Sequence, residues 1–192
     1  MGVGILGGAF DPPHNGHVAL AREAIAHFGL TRLLVRVVAA PGHRDVTGSA
    51  EDRLALATAG FANIAGVEVA LDPHARTVDS LKALGLDDLV FLIGADELAS
   101  FPAWKEPGRV LELARLGVAT RPGVARERLD AVIEGLARPD RVELFEIEPL
   151  PISSSEIRDR VDAGEPIDDV VPAAVAAEIE RRGLYQRPPR LD

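Results

Sequence analysis

Cysteine is absent from the 192 residues. Disulfides and thiolate metal sites are therefore excluded, and a reducing cytoplasm is the expected setting. No apolar run approaches the roughly 20 residues that a membrane span needs. The opening "MGVGILGGAF" has neither the basic start nor the long apolar stretch of a signal peptide. Positive charge is also scarce: 21 Lys and Arg stand against 30 Asp and Glu, a formal net charge of −9. Binding a nucleic-acid polymer takes a broad basic surface, and this balance speaks against one. A small anionic ligand asks for less, only a few cations and backbone amides held together locally. Internal repeats, low-complexity tracts and linkers are missing as well. What is present is an ordinary globular composition, 47% hydrophobic and 27% charged. One domain with a real core is expected over residues 1–186, helices 153–183 included, with a flexible tail at 187–192.

Short β-rich runs alternate with amphipathic segments along the chain. "VGIL" (3–6), "LLVRVV" (33–38), "VEVAL" (67–71), "LVFLIG" (89–94), "LGVAT" (116–120) and "VELFEI" (142–147) read as strands. Several are apolar almost throughout, as expected when helices cover both faces of a parallel sheet. Between them, Val18, Ala21, Ile25 and Phe28 share one face of a helix that starts near Asn15 or Gly16 and is closed by Gly29. Ser49 and Asp52 have capping-box spacing before a second helix. Residues 78–84, 106–115 and 126–136 continue the alternation, and two helices follow one another at the end. This pattern predicts an α/β fold with a doubly wound parallel sheet. Residues 41–50 form the longest turn-rich gap and read as a mobile loop beside the site.

Ligands of such sheets sit beyond the carboxyl ends of strands, near helix N-termini. "GGAFDPPHNGH" (7–17) occupies that place after the first strand. Gly7 and Gly8 allow close backbone approach, with Ala9 and Phe10 leading into the Asp11-Pro12-Pro13 turn. His14 and His17 stand one turn apart near the positive end of the helix, so amides, dipole and imidazoles form a site for phosphate oxygens. Three plainer readings stay open: a tight turn, a metal site with Asp11, or solvated histidines. Near the other end, "PISSSEIRDRV" (151–161) starts a helix at Ser153 and Ser154, with Arg158 one turn in, where a guanidinium can reach a phosphate. An ordinary capped helix is the plainer alternative. Gly94 and Asp96 lie at a strand end, where Asp96 can accept hydrogen bonds from ribose hydroxyls.

The first stretch resembles the signature of the nucleotidyltransferase superfamily that carries a His-x-Gly-His motif, and the second its Ile-Ser-Ser/Thr-x-x-Ile-Arg motif. "FLIGADELASFPAWKEPGRVLELARLGVATRPG" (91–123) and "ARTVDSLKAL" (75–84) resemble segments of the nicotinate-nucleotide adenylyltransferase family. The resemblance covers nearly the whole chain and implies a Rossmann-like nucleotidyltransferase fold. It implies transfer of AMP from ATP to nicotinate mononucleotide, releasing pyrophosphate, in NAD synthesis, with Mg²⁺ held mainly by substrate oxygens and water rather than by protein ligands. It implies that His14 and His17 hold ATP phosphates, with His17 stabilising the α-phosphate as pyrophosphate leaves, and that Ser153, Ser154 and Arg158 grip the outer phosphates. Thr77 would contact nicotinate, Trp104 would stack near the pyridine ring, and Arg44 and Arg121 would meet phosphates. Without the resemblance, Trp104 would read equally well as core and Thr77 as an N-cap. The chain departs from the family at Ala9, at Arg76 where tyrosine is usual, and at Gly42-His43-Arg44 where Pro-His-Lys is usual. His27 and His74 match no catalytic position and are expected at the surface. Nicotinamide mononucleotide or phosphopantetheine as acceptor remains an alternative, as does a non-catalytic nucleotide sensor.

Overall fold

Six strands form where the Val/Leu/Ile-rich runs stand: β1 (Gly2–Gly8), β2 (Leu30–Val38), β3 (Val67–Asp72), β4 (Leu89–Gly94), β5 (Ala114–Thr120) and β6 (Val142–Glu146). In the computed structural model, which describes residues 2–42, 46–121, 123, 125–148 and 150–186, they make one sheet in the order β3-β2-β1-β4-β5-β6. Every neighbouring pair is parallel. The chain winds outward from β1 to β3, returns to place β4 beside β1, and winds outward again. The switch point therefore lies between β1 and β4, where a crevice opens at the strands' carboxyl ends.

Helices α1 (Asn15–Phe28), α2 (Ala50–Phe61), α3 (Thr77–Leu84), α4 (Ala95–Ser100), α5 (Pro107–Leu113), α6 (Arg126–Glu134), α7 (Ser154–Ala163) and α8 (Ala173–Arg182) connect and cover the sheet. One apolar layer joins Ile5, Leu34, Phe91 and Val118 to Val78, Leu98, Val110 and Leu129 from α3 to α6. The opposite layer joins Leu33, Val35, Val90 and Leu92 to Ala21 and Ala24 of α1 and Phe61 of α2. Coverage on both faces explains why Leu89 through Ile93 is apolar without alternation: every one of these residues is buried. Each such Leu, Ile, Val or Phe contributes about 1.5–3 kcal/mol through burial. A third cluster ties Leu56 of α2 to Ile157 of α7 and Val175 and Ile179 of α8, fastening the last two helices to the sheet layers.

The expected caps form. Gly29 closes α1 at φ 58°, a left-handed conformation that glycine adopts without Cβ strain. Ser49 Oγ accepts from the Asp52 N–H at 3.1 Å to start α2. Other elements depart from the sequence pattern, and the helix expected over 126–136 ends at Glu134. The helix expected over 106–115 stops at Leu113, because Ala114 and Arg115 pair with Leu89 and Val90 as the beginning of β5. Helix α4 went unread, being six residues long and too short for a periodicity. The tail 187–192 expected to be flexible lies outside the described residues.

Candidate active site

At the end of β1 the chain reverses through Phe10, which has φ 50° and is 2% exposed. A non-glycine residue in this region is strained, and burial holds it there. The Phe10 ring meets Phe61 edge-on at 5.6 Å and His17 at 5.2 Å. It also fills the space a Cβ on Gly8 would need, 3.0 Å away. This turn delivers His14 to the N-cap of α1 and His17 to its first turn, with ring centroids 3.8 Å apart. His17 Nδ1 accepts from the His14 backbone N–H at 3.2 Å. In a neutral imidazole that leaves the proton on Nε2, which is then a donor. Burial, with help from the positive charge of Arg121, pushes the His14 pKa down to about 4, so this ring is neutral near pH 7. Its Nδ1 is buried and finds no hydrogen-bond partner among the described residues.

The C-terminal motif meets this turn directly. Arg158 donates to the Asp11 carbonyl at 2.7 Å and Ser154 Oγ donates to the Pro12 carbonyl at 2.8 Å, across separations of 147 and 142 residues. Ser153 caps α7 by accepting from the Glu156 N–H. Asn15 N–H donates to the Val170 carbonyl at 3.0 Å, adding a second strap. The two distant motifs are thus one structural unit.

Asp11 ties the turn to residues 47, 48 and 185. Its carboxylate accepts from Thr47 N–H, Gly48 N–H and Tyr185 Oη at 2.6, 3.0 and 2.8 Å. These bonds also pin the described part of the 41–50 loop. Arg44 lies outside the described residues, as does the rest of that loop between 43 and 45. Arg53, 0% exposed, completes the support: its guanidinium donates to the carbonyls of Ala9, Val38, Ala39 and Gly48. Among the described residues no three His, Cys, Asp or Glu converge on a metal-sized site.

Beside this unit, a cleft of about 400 Å³ opens between the ends of β1, β2 and β4 and the starts of α3 and α4. Its size suits a small ligand. Gly7, Gly8, Ala9, Thr77 and Trp104 all line it. Trp104 is half-buried: one edge packs on Phe101 and Phe91, and Nε1 donates to Ser100 Oγ at 3.2 Å. It is a wall of the cleft, not a core residue. Thr77 is the first residue of α3 rather than its cap, since Arg76 holds the N-cap position. Asp79 pairs with Lys105, also at the cleft. Gly94 caps α4, while Asp96 is exposed on its first turn and does not line the cleft. Glu97 does, and accepts from the Gly94 N–H at 3.0 Å. Arg121 is exposed beyond the end of β5 and acts on His14. His27 is an exposed partner of Glu143, as expected. His74 is not simply at the surface: it lines the cleft and bonds to the buried carboxylate of Asp72 at 2.9 Å.

Sequence reasoning missed Arg36, Arg53, Glu97 and Tyr185. Only Arg36 left a readable signal, a lone charge inside the apolar strand "LLVRVV".

Residues 5–160 match the model of the cytidylyltransferase-like family. A curated protein of Roseiflexus sp. (strain RS-1), named "Probable nicotinate-nucleotide adenylyltransferase", is 40% identical over 96% of this chain and 98% of its own length. A protein of the same name from Bordetella avium (strain 197N) is 34% identical over 96% and 98%. Among solved structures, the Plasmodium falciparum nicotinic acid mononucleotide adenylyltransferase complexed with APC superposes with a TM-score of 0.75, covering 96% of both chains at 18% identity, a likeness of fold. No helix among the described residues is long and apolar enough to cross a membrane.

Proposed function

Because the chain belongs to the nicotinate-nucleotide adenylyltransferase family of cytidylyltransferase-like proteins, we propose that it transfers AMP from ATP to nicotinate mononucleotide. The acceptor phosphate oxygen attacks the ATP α-phosphorus. A P–O bond forms to give nicotinate adenine dinucleotide, the bond to the β-phosphate breaks, and pyrophosphate leaves. The observation that carries this reading is the pair of bonds from Arg158 and Ser154 to the turn that bears the histidines.

The donor triphosphate lies along α1 and α7. His17 donates Nε2–H to the α-phosphoryl group as charge grows on the leaving oxygen, and neutral His14 offers a second imidazole without adding a positive charge. Arg158 donates from one arm to the Asp11 carbonyl and from the other to Ser155 Oγ, so the N–H groups left over are fixed in direction before substrate arrives. The α7 amides at Ser154 and Ser155 face the outer phosphates, and Arg121 adds positive charge beside His14. Asp96 takes the ATP ribose. Thr77 and Trp104 hold the pyridine ring in the cleft, and Arg44 meets the acceptor phosphate. No covalent enzyme intermediate is needed, since alignment and charge stabilisation suffice for direct phosphoryl-type transfer. Mg²⁺ would enter with ATP as part of that substrate and would supply charge neutralisation. A cytoplasmic setting belongs to the same reading.

The test is pyrophosphate release from ATP with nicotinate mononucleotide, nicotinamide mononucleotide and phosphopantetheine in turn. Release with the pyridine mononucleotides is expected. Release only with phosphopantetheine, or with none of the three, overturns the proposal.

A further inference from the structure

Arg36 stands where the sheet's interior gives way to the cleft. It is on β2, in register with Gly7 of β1 and Ala70 of β3. Leu34, two residues earlier and on the same face, belongs to the layer beneath α3. The Arg36 side chain lines the cleft together with Thr77 and Trp104. It also lines a smaller adjoining cavity of about 110 Å³, with Ser80 and Leu84. Its Nε is buried and has no hydrogen-bond partner among the described residues. Leaving a buried charged donor unmatched costs more than leaving a neutral one.

The nearby acids do not satisfy it. Glu68 feels the Arg36 charge, but both of its oxygens are held by Arg32 at 2.8 and 3.0 Å. The Asp72 carboxylate accepts from the His74 backbone and ring and from Ser80 Oγ. A cation is therefore held at the inner wall of the cleft with an unmet donor, in a protein whose overall charge is −9. An anionic group on the ligand is the natural partner.

Which anion follows from the direction of the substrate. On the adenylyltransferase reading, the acceptor's phosphate must lie toward His17, where the α-phosphorus is. His14, His17 and Arg158 do not line the cleft. The other end of the mononucleotide, the pyridine ring, then points inward past Trp104 toward β2. We propose that Arg36 binds the ring carboxylate and makes the site select nicotinate over nicotinamide. This rests on the function proposed above and adds its specificity-determining residue. The carboxamide offers Arg36 only a neutral carbonyl, and its NH₂ group faces a guanidinium that cannot accept. Arg76, where the family usually has tyrosine, sits exposed at the α3 N-cap. The carboxylate contact that Arg36 makes does not depend on that tyrosine.

The experiment measures kcat/KM for both mononucleotides at saturating ATP in the wild type, Arg36→Met and Arg36→Lys, with calorimetric binding of each mononucleotide alone. Arg36→Met is expected to lose about 10- to 100-fold with nicotinate mononucleotide while changing less than about threefold with nicotinamide mononucleotide. Arg36→Lys should fall between, and the KM for ATP should stay constant. Equal losses with both acceptors, or no loss with either, would overturn the proposal. The ratio of the two acceptors is taken on one preparation, so a reduced folded fraction cancels. If the wild type forms no dinucleotide at all, the adenylylation reading fails on its own. Binding then still judges Arg36: a nicotinate preference that vanishes in Arg36→Met supports its role, and a preference that persists ends it.

Discussion

Lowering the pH should destabilise this fold through His14, by an amount that can be worked out. The ring is held neutral with a pKa of about 4, against 6.5 for the unperturbed group, because burial and then the charge of Arg121 disfavour the imidazolium. The unfolded chain takes up the proton near pH 6.5 and the folded one only near pH 4. Stability from this residue is therefore complete above about pH 6.5 and declines as the pH falls toward 4. The full gap corresponds to about 3 kcal/mol as an upper figure, of which about 2 kcal/mol is already lost at pH 5. For a chain of this length that is a fall in Tm of about 4–8 °C. His14→Asn keeps a residue suited to the N-cap position but removes the titration. Thermal melts of both proteins at pH 7.5 and pH 5 isolate the effect, since the carboxylates titrate alike in each. The wild type should lose more Tm on acidification than His14→Asn by that margin. Equal losses, or a His14 NMR titration with its midpoint above pH 6, would refute the account of a desolvated neutral ring.

Three substitutions test the rest of the site. His17→Ala should lower turnover by about 10² or more while leaving ATP affinity within about tenfold, and equal losses in rate and binding would contradict a transition-state role. Arg158→Lys keeps the charge but cannot hold the Asp11 carbonyl and a phosphate in the same fork, so kcat should fall by about tenfold with the circular dichroism spectrum intact. An unchanged rate would remove Arg158 from the reaction. Arg53→Met strands the carbonyls of Ala9, Val38, Ala39 and Gly48, and urea unfolding should show a loss of about 3–5 kcal/mol. A loss under about 1 kcal/mol would show that those carbonyls find other partners.

The strands were legible because burial on both faces leaves a local mark, unbroken apolar runs such as 89–93. The start and end of α1 were legible because Asn15 and Gly29 mark them within a few residues. Helix α4 left no such mark, and the end of α5 was misjudged because pairing of Ala114 with Leu89 outweighed a helical pattern that otherwise ran on. The role of Asp11 was also hidden. Its three carboxylate donors come from residues 47, 48 and 185, none of them a sequence neighbour.

From the sequence alone came the parallel α/β architecture, the phosphate-suited turn at 7–17 and the capped helix at 153. Each depends on backbone preferences and side chains only a few positions apart. Tertiary structure alone decided that Arg158 bonds to Asp11 across 147 residues, that Thr77 and Trp104 share a cleft, and that Arg36 in that cleft has a buried Nε without a partner among the described residues. Such contacts arise from packing distant segments against one sheet. Proximity, desolvation and unmet hydrogen bonds exist only once that packing has been made.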